Sequence, residues 1–271
     1  MSATLAQMRD YLEEIVSAQN DTGFIDSTYQ LQLLNKAYEK SAYKYNWPQT
    51  LKRWFDPLVA NVDRYSLQSD WRKFIFVKQS GILLDLADVE DLKGGYNQYA
   101  VELDSDQYLS ALQPNAASDA YVTQNSESAG NAVVVELDTV DGLSAGDEIF
   151  ISNTTSSEFT KIQSVDTAAE TITVKLANSH TSGKSIYRVD DGMYMKYQKA
   201  VTALADTGDT PILPGETHLI IPHYAASLYY EKLEEPDRAT QQRGIWENEL
   251  SDIWHGLGKI AAGQAGEMVI G

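Results

Sequence analysis

Two patterns of apolar side chains divide this chain: helical spacing occupies both ends and short β-favouring runs fill the middle, so its fold has to accommodate both. At the start, Leu5, Met8, Leu12, Ile15 and Val16 recur every three or four residues and predict a helix to about Ala18, with Thr4 or Ser2 as its cap. Asn20 to Gly23 supplies turn chemistry. Asp26-Ser27 then opens a second helix to about Tyr45, burying Leu31, Leu34, Ala37, Tyr38, Ala42 and Tyr45, and Trp47-Pro48 stops it. Near the other end, Thr217 caps a helix through Glu235 with Pro222 in its first turns. A last helix runs from Pro236 to about His255, closed by Gly256 and Gly258.

In the middle, Trp54 to Leu58, Arg64 to Leu67, Phe74 to Val77 and Ile82 to Leu86 read as strands, and Asp104 to Leu112 as a short helix. Residues Ala116 to Asn131 are small and polar, the composition of a linker. After them, Val133 to Leu137, Glu148 to Ser152, Phe159 to Val165, Thr171 to Leu176 and Ser185 to Val189 form a series of strands at roughly ten-residue spacing, which predicts a small sandwich or barrel. The expected fold class is therefore α+β. A helical bundle-like core with a few short strands is formed by both chain ends (1–130 and 190–258), a small all-β module is inserted (131–189), and 259–271 is a flexible C-terminal tail.

Catalytic chemistry finds little to stand on. The chain has no cysteine, which removes thiol nucleophiles, disulfides and Cys-ligated metals. Gly94-Gly95 lacks the Lys-Ser or Lys-Thr of a phosphate loop, and no Gly-x-Ser-x-Gly occurs. His218 and His223 are five apart, which puts them on different faces of a helix, and His180 and His255 read as surface residues. Asp85, Asp88, Glu90 and Asp91 lack the ligand order of a calcium loop. No catalytic residue, cofactor or metal site is assigned, and the chain is not read as an enzyme.

Charge is more informative. The formal net charge is −18, and between Asp85 and Glu148 stand fourteen acidic side chains against one basic, Lys93. Such a surface opposes extended contact with nucleic acid and is either a solubility device or a face that repels a polyanion, with Asp85, Asp88, Glu90, Asp91, Glu102, Asp104 and Asp106 as its candidates. No run approaches the ~18 apolar residues of a membrane helix and no signal peptide is evident, so no membrane partner is expected. Sixteen Tyr and five Trp are the other unusual feature. Tyr43, Trp47, Tyr229, Tyr230 and Trp246 are the candidates for a subunit interface, because such rings bury much area while keeping a polar tip satisfied.

Three segments carry a resemblance. They are Phe24-Ile25-Asp26 leading into Leu33-Leu34-Asn35-Lys36-Ala37 and Asn46-Trp47-Pro48; Asp63-Arg64-Tyr65-Ser66-Leu67 followed by Asp70 to Val77, with Gln68 where proline is common; and Ile212-Leu213-Pro214 with His218 to Ile221, Tyr224 to Leu233 and Asp237-Arg238-Ala239. Their order resembles the head-to-tail adaptor, or connector, proteins of tailed bacteriophages. The resemblance covers well under half of the chain, and the β module departs from it. It implies a virion structural protein of the neck, made in the host cytoplasm and assembled as a dodecameric ring. Its partners would be the portal protein, the next neck or tail protein, and DNA passing without tight binding. A docking tail would use Ile260, Met268, Val269 and Ile270. Rival readings are a stopper or tail terminator, a carbohydrate- or receptor-binding virion protein using the β module, and an acidic hydrolase.

Overall fold

The computed structural model describes residues 2–17, 26–87, 97–103, 107–111, 117–153 and 156–267. The chain divides into two units, Met1–Leu51 with Gln198–Gly271, and Lys52–Tyr197.

Among the described residues the first unit holds four α-helices: α1 (Leu5–Ser17), α2 (Ser27–Lys44), α3 (Ile221–Lys232) and α4 (Pro236–Glu267). The stripe Leu5, Met8, Leu12 and Val16 is buried, as the spacing requires. Asp26 caps α2, its carboxylate accepting the N–H groups of Thr28 at 2.7 Å and Tyr29 at 3.3 Å. Those two bonds hold the Asp26 carboxyl below the usual carboxylate range. Helix α3 is the hub and packs against α1, α2 and α4. The core they share includes Leu33, Leu34, Ala37, Leu213, Ile220, Ile221, Tyr230 and Trp246. Helix α4 does not stop at His255 but continues to Glu267, through residues read as tail. Ala261, Ala262 and Ala265 favour helix, and an interior glycine costs about 1 kcal/mol without ending it.

The second unit is built of sheets. One has seven strands in the order β1 (Leu51–Asp56), β13 (Met193–Lys199), β3 (Trp71–Gln79), β4 (Ile82–Leu86), β5 (Gln98–Leu103), β6 (Gln107–Ala111) and β2 (Arg64–Ser66). The other has six, in the order β7 (Tyr121–Val122), β12 (Ser185–Arg188), β9 (Glu148–Ile151), β10 (Glu158–Asp166), β11 (Thr171–Leu176) and β8 (Gly130–Glu136). A bridge between Thr123 and Leu137 links the two ends of the six-stranded sheet. An aromatic seam of Phe55, Phe150, Phe159, Tyr187 and Tyr194 with Val189 joins the two sheets. Gly192 lies under that seam, where a β-carbon would overlap the Phe55 ring.

This architecture corrects the expected fold class. The chain is mixed, 32% helix and 33% strand, with two curled sheets, and is not a helical bundle carrying a few short strands. Its strands are not a minor addition to helices. The runs at 51–86 look local in sequence, but β13 from far down the chain inserts between β1 and β3 and completes a wide sheet. Gln107–Ala111, read as helix, is a strand held between β5 and β2. The segment read as a linker contributes β7 and the start of β8, with Tyr121 and Thr123 buried.

Candidate functional site

Three histidines are buried, and each is satisfied inside the protein. In the helical unit, His218 accepts the Ala3 N–H at Nδ1 (3.1 Å) and donates from Nε2 to the Leu213 carbonyl (2.9 Å). It pins the chain start to the loop before α3. His223 pairs with Gln242 at 2.7 Å and Tyr11 at 3.3 Å. In the β unit, His180 donates from Nε2 to Glu158 at 2.5 Å, and the same carboxylate accepts the N–H groups of Ala177 (2.8 Å) and Asn178 (3.3 Å). Both side chains are buried. This pair staples the loop after β11 onto β10, so His180 is not the surface residue its loop position suggested.

A further tie links Tyr197 on β13 with Asp70, which accepts the Tyr197 hydroxyl at 2.7 Å and the Lys52 ammonium at 3.0 Å. Burial alone would raise the Asp70 carboxyl, but these two bonds and the Lys52 charge leave it below its ordinary value. Burial, with Asp70 beside it, pushes the Tyr197 phenol well up. Among the described residues no group of three or more His, Asp or Glu is arranged to hold a metal ion. No helix there is long and apolar enough to cross a membrane.

The aromatic interface candidates turn inward. Trp47, Tyr229, Tyr230 and Trp246 are buried, and Tyr43 packs against the same core. Ser41 explains two of them: its hydroxyl accepts the Trp246 indole N–H at 2.8 Å and its carbonyl accepts that of Trp47 at 2.9 Å. The Tyr43 hydroxyl accepts the Val201 N–H at 2.9 Å. Four of these rings are thus spent on the subunit's own core, and Tyr43 is half-buried beside them.

Of the acidic candidates, Asp85 is exposed on β4. Glu102 is not a free surface acid, because Arg64 pairs with it at 2.9 Å and Ser110 donates to it. Asp88, Glu90, Asp91, Asp104 and Asp106 lie outside the described residues, as do Met268, Val269 and Ile270. Ile260 lies on the backbone of α4.

What the sequence reading missed is an apolar surface. On β4, Ile82, Leu83 and Leu86 are 51%, 56% and 68% exposed, while only Leu84 reaches the core. Strand β4 is hydrogen-bonded to β3 through a tight turn at Ser80-Gly81, both with positive φ (49° and 75°), the geometry of a two-residue hairpin. On its other side it runs parallel to β5. The signal is present in the sequence: Ile82-Leu83-Leu84 places aliphatic groups on both faces of a strand, which fits either complete burial or a partner.

The helical unit has a surface hollow of about 410 Å³, lined by Asp26, Thr28, Tyr29, Gln32, Tyr229, Lys232 and Leu233, where α2 begins and α3 ends. The Lys232 ammonium sits 4.1 Å from the centre of the Tyr29 ring, and Leu233 is an exposed aliphatic.

No known protein-family model matches this chain, and no curated protein matches it either.

Proposed function

We propose that the chain is a virion structural protein, a head-to-tail adaptor that forms a ring between portal and tail, with no catalytic role. The observation that carries this reading is the β4 surface. Ile82 and Leu86 stand on one face of the strand and Leu83 on the other, all more than half exposed, and such aliphatic groups are surface that a partner can cover. The residues behind the resemblance lend support. Asn35 accepts the Leu204 N–H at its amide oxygen (2.8 Å) and donates from its amide nitrogen to the Leu204 carbonyl (2.9 Å), and the Tyr38 hydroxyl accepts the Ile212 N–H at 3.1 Å. The first and third adaptor-like segments thus share one core although they stand far apart in the sequence.

The partners follow from the same reading: further copies of the chain, the portal, the next neck or tail protein, and DNA that slides past an acidic surface. The ring sits in the virion neck and its subunits are made in the host cytoplasm. Negative-stain imaging of the purified protein, alone and mixed with the portal from the same genome, tests it. Rings in either condition are expected. Persistent single subunits in both would sink the reading.

A further inference from the structure

We infer that strand β4 of one copy seats in the hollow between α2 and α3 of the next, with Asp85 meeting Lys232 of that neighbour. The inference rests on the assembly reading above and names the contact. Strand β4 is hydrogen-bonded on both sides, to β3 and to β5, so a partner meets its side chains rather than its edge, and the Asp85 carboxylate beside Leu83 calls for a base on the facing surface. The apolar strand therefore needs a different surface with an exposed aliphatic group and a base. Leu233 and Lys232 supply both, side by side in the chain and on the wall of a hollow.

The registers agree. Side chains alternate along a strand, so Leu83 and Asp85 point to the face opposite core-facing Leu84, with their Cα atoms about 6–7 Å apart. Leu83 then enters the hollow against Tyr29 and Leu233, and Asp85 reaches the rim where Lys232 stands. The other charged residue of the lining, Asp26, already has its carboxylate on the amides of Thr28 and Tyr29, which leaves Lys232 as the charge open to the incoming acid. A contact between two different surfaces is heterologous and can be repeated from copy to copy, and it closes into a ring when the rotation per step allows.

The test is a charge exchange, Asp85→Lys and Lys232→Glu, read as self-association by mass photometry and sedimentation, with and without portal. Each variant alone places like charges together and should weaken association by about tenfold or more. An equal mixture should recover it, because the strand of each Asp85→Lys copy then docks on the hollow of a Lys232→Glu copy, and the reverse contact keeps its native pair; recovery also shows that both variants fold. Association of either single variant at wild-type strength, or no recovery in the mixture, would overturn this contact and leave the ring reading standing. A wild-type protein that never associates, even with portal, would overturn both.

Discussion

The two units of this molecule treat their apolar and polar groups differently. In the helical unit the large side chains close over one core, and buried polar groups serve as long-range fasteners: Ser41 under two tryptophans, His218 on the chain start, Asn35 on the backbone of Leu204. The β unit has three smaller clusters and leaves Val59, Ile82, Leu83, Leu86 and Val134 at its surface. Among its described residues the helical unit leaves only two large aliphatic groups outside, Leu219 and Leu233, and is suited to be a frame. A unit that leaves more of them outside is suited to make contacts.

The contrast can be broken from either side. Trp246→Ala removes a buried ring and the donor to the Ser41 hydroxyl, and is expected to cost the helical unit about 4 kcal/mol. Denaturation followed by the far-ultraviolet helix signal should show that loss while the β unit keeps its own transition. Glu158→Ala leaves His180 and the amides of Ala177 and Asn178 without their acceptor, at about 3 kcal/mol in the β unit. Hydrogen exchange at those two amides should rise sharply, with the helices unaffected. Gly192→Ala sharpens the comparison within the β unit. The added carbon overlaps Phe55 and comes within 3.0 Å of the Asp56 carbonyl, so the aromatic seam has to shift, at about 2 kcal/mol. Loss of the near-ultraviolet aromatic signal would report it.

The smallest effect is that of acid. The Asp70 carboxyl is depressed in the folded state, so its stabilisation is complete above the ordinary carboxylate pKa of about 4 and is lost as pH falls through the lower folded value. The β unit should lose stability below about pH 4, and the Asp70→Asn protein should show a flatter acid profile over the same range. Identical profiles for the two proteins would remove Asp70 from the account.

Local chemistry is legible in the sequence and distant pairing is not. The Leu5, Met8, Leu12 and Val16 stripe, the Asp26 cap and the Pro236 start all lie where spacing and residue type put them, because a helix is decided within a few turns. Ile82–Leu86 and Thr171–Leu176 are readable as strands for the same reason. Which strands neighbour one another depends on residues more than a hundred positions away, so the place of β13 between β1 and β3 leaves no mark in either run. Gln107–Ala111 shows the cost: its local preference reads as helix, and the strands on both sides decide otherwise. For the candidate surfaces, composition shows that aromatic rings are plentiful but not which way they face. Trp47 and Trp246 face inward, and the exposed surface belongs to plain aliphatic residues.

The Gln198 side chain donates to the Thr50 hydroxyl at 3.3 Å and to the Tyr45 carbonyl at 3.0 Å, so the chain leaves the helical unit and returns to it at one spot. Neighbouring strands lie about 4.8 Å apart, a gap that two or three residues can span. The stretch 52–197 is thus a cassette with a single doorway. A short splice would bypass it, and none of the buried residues of the shared helical core lies within it.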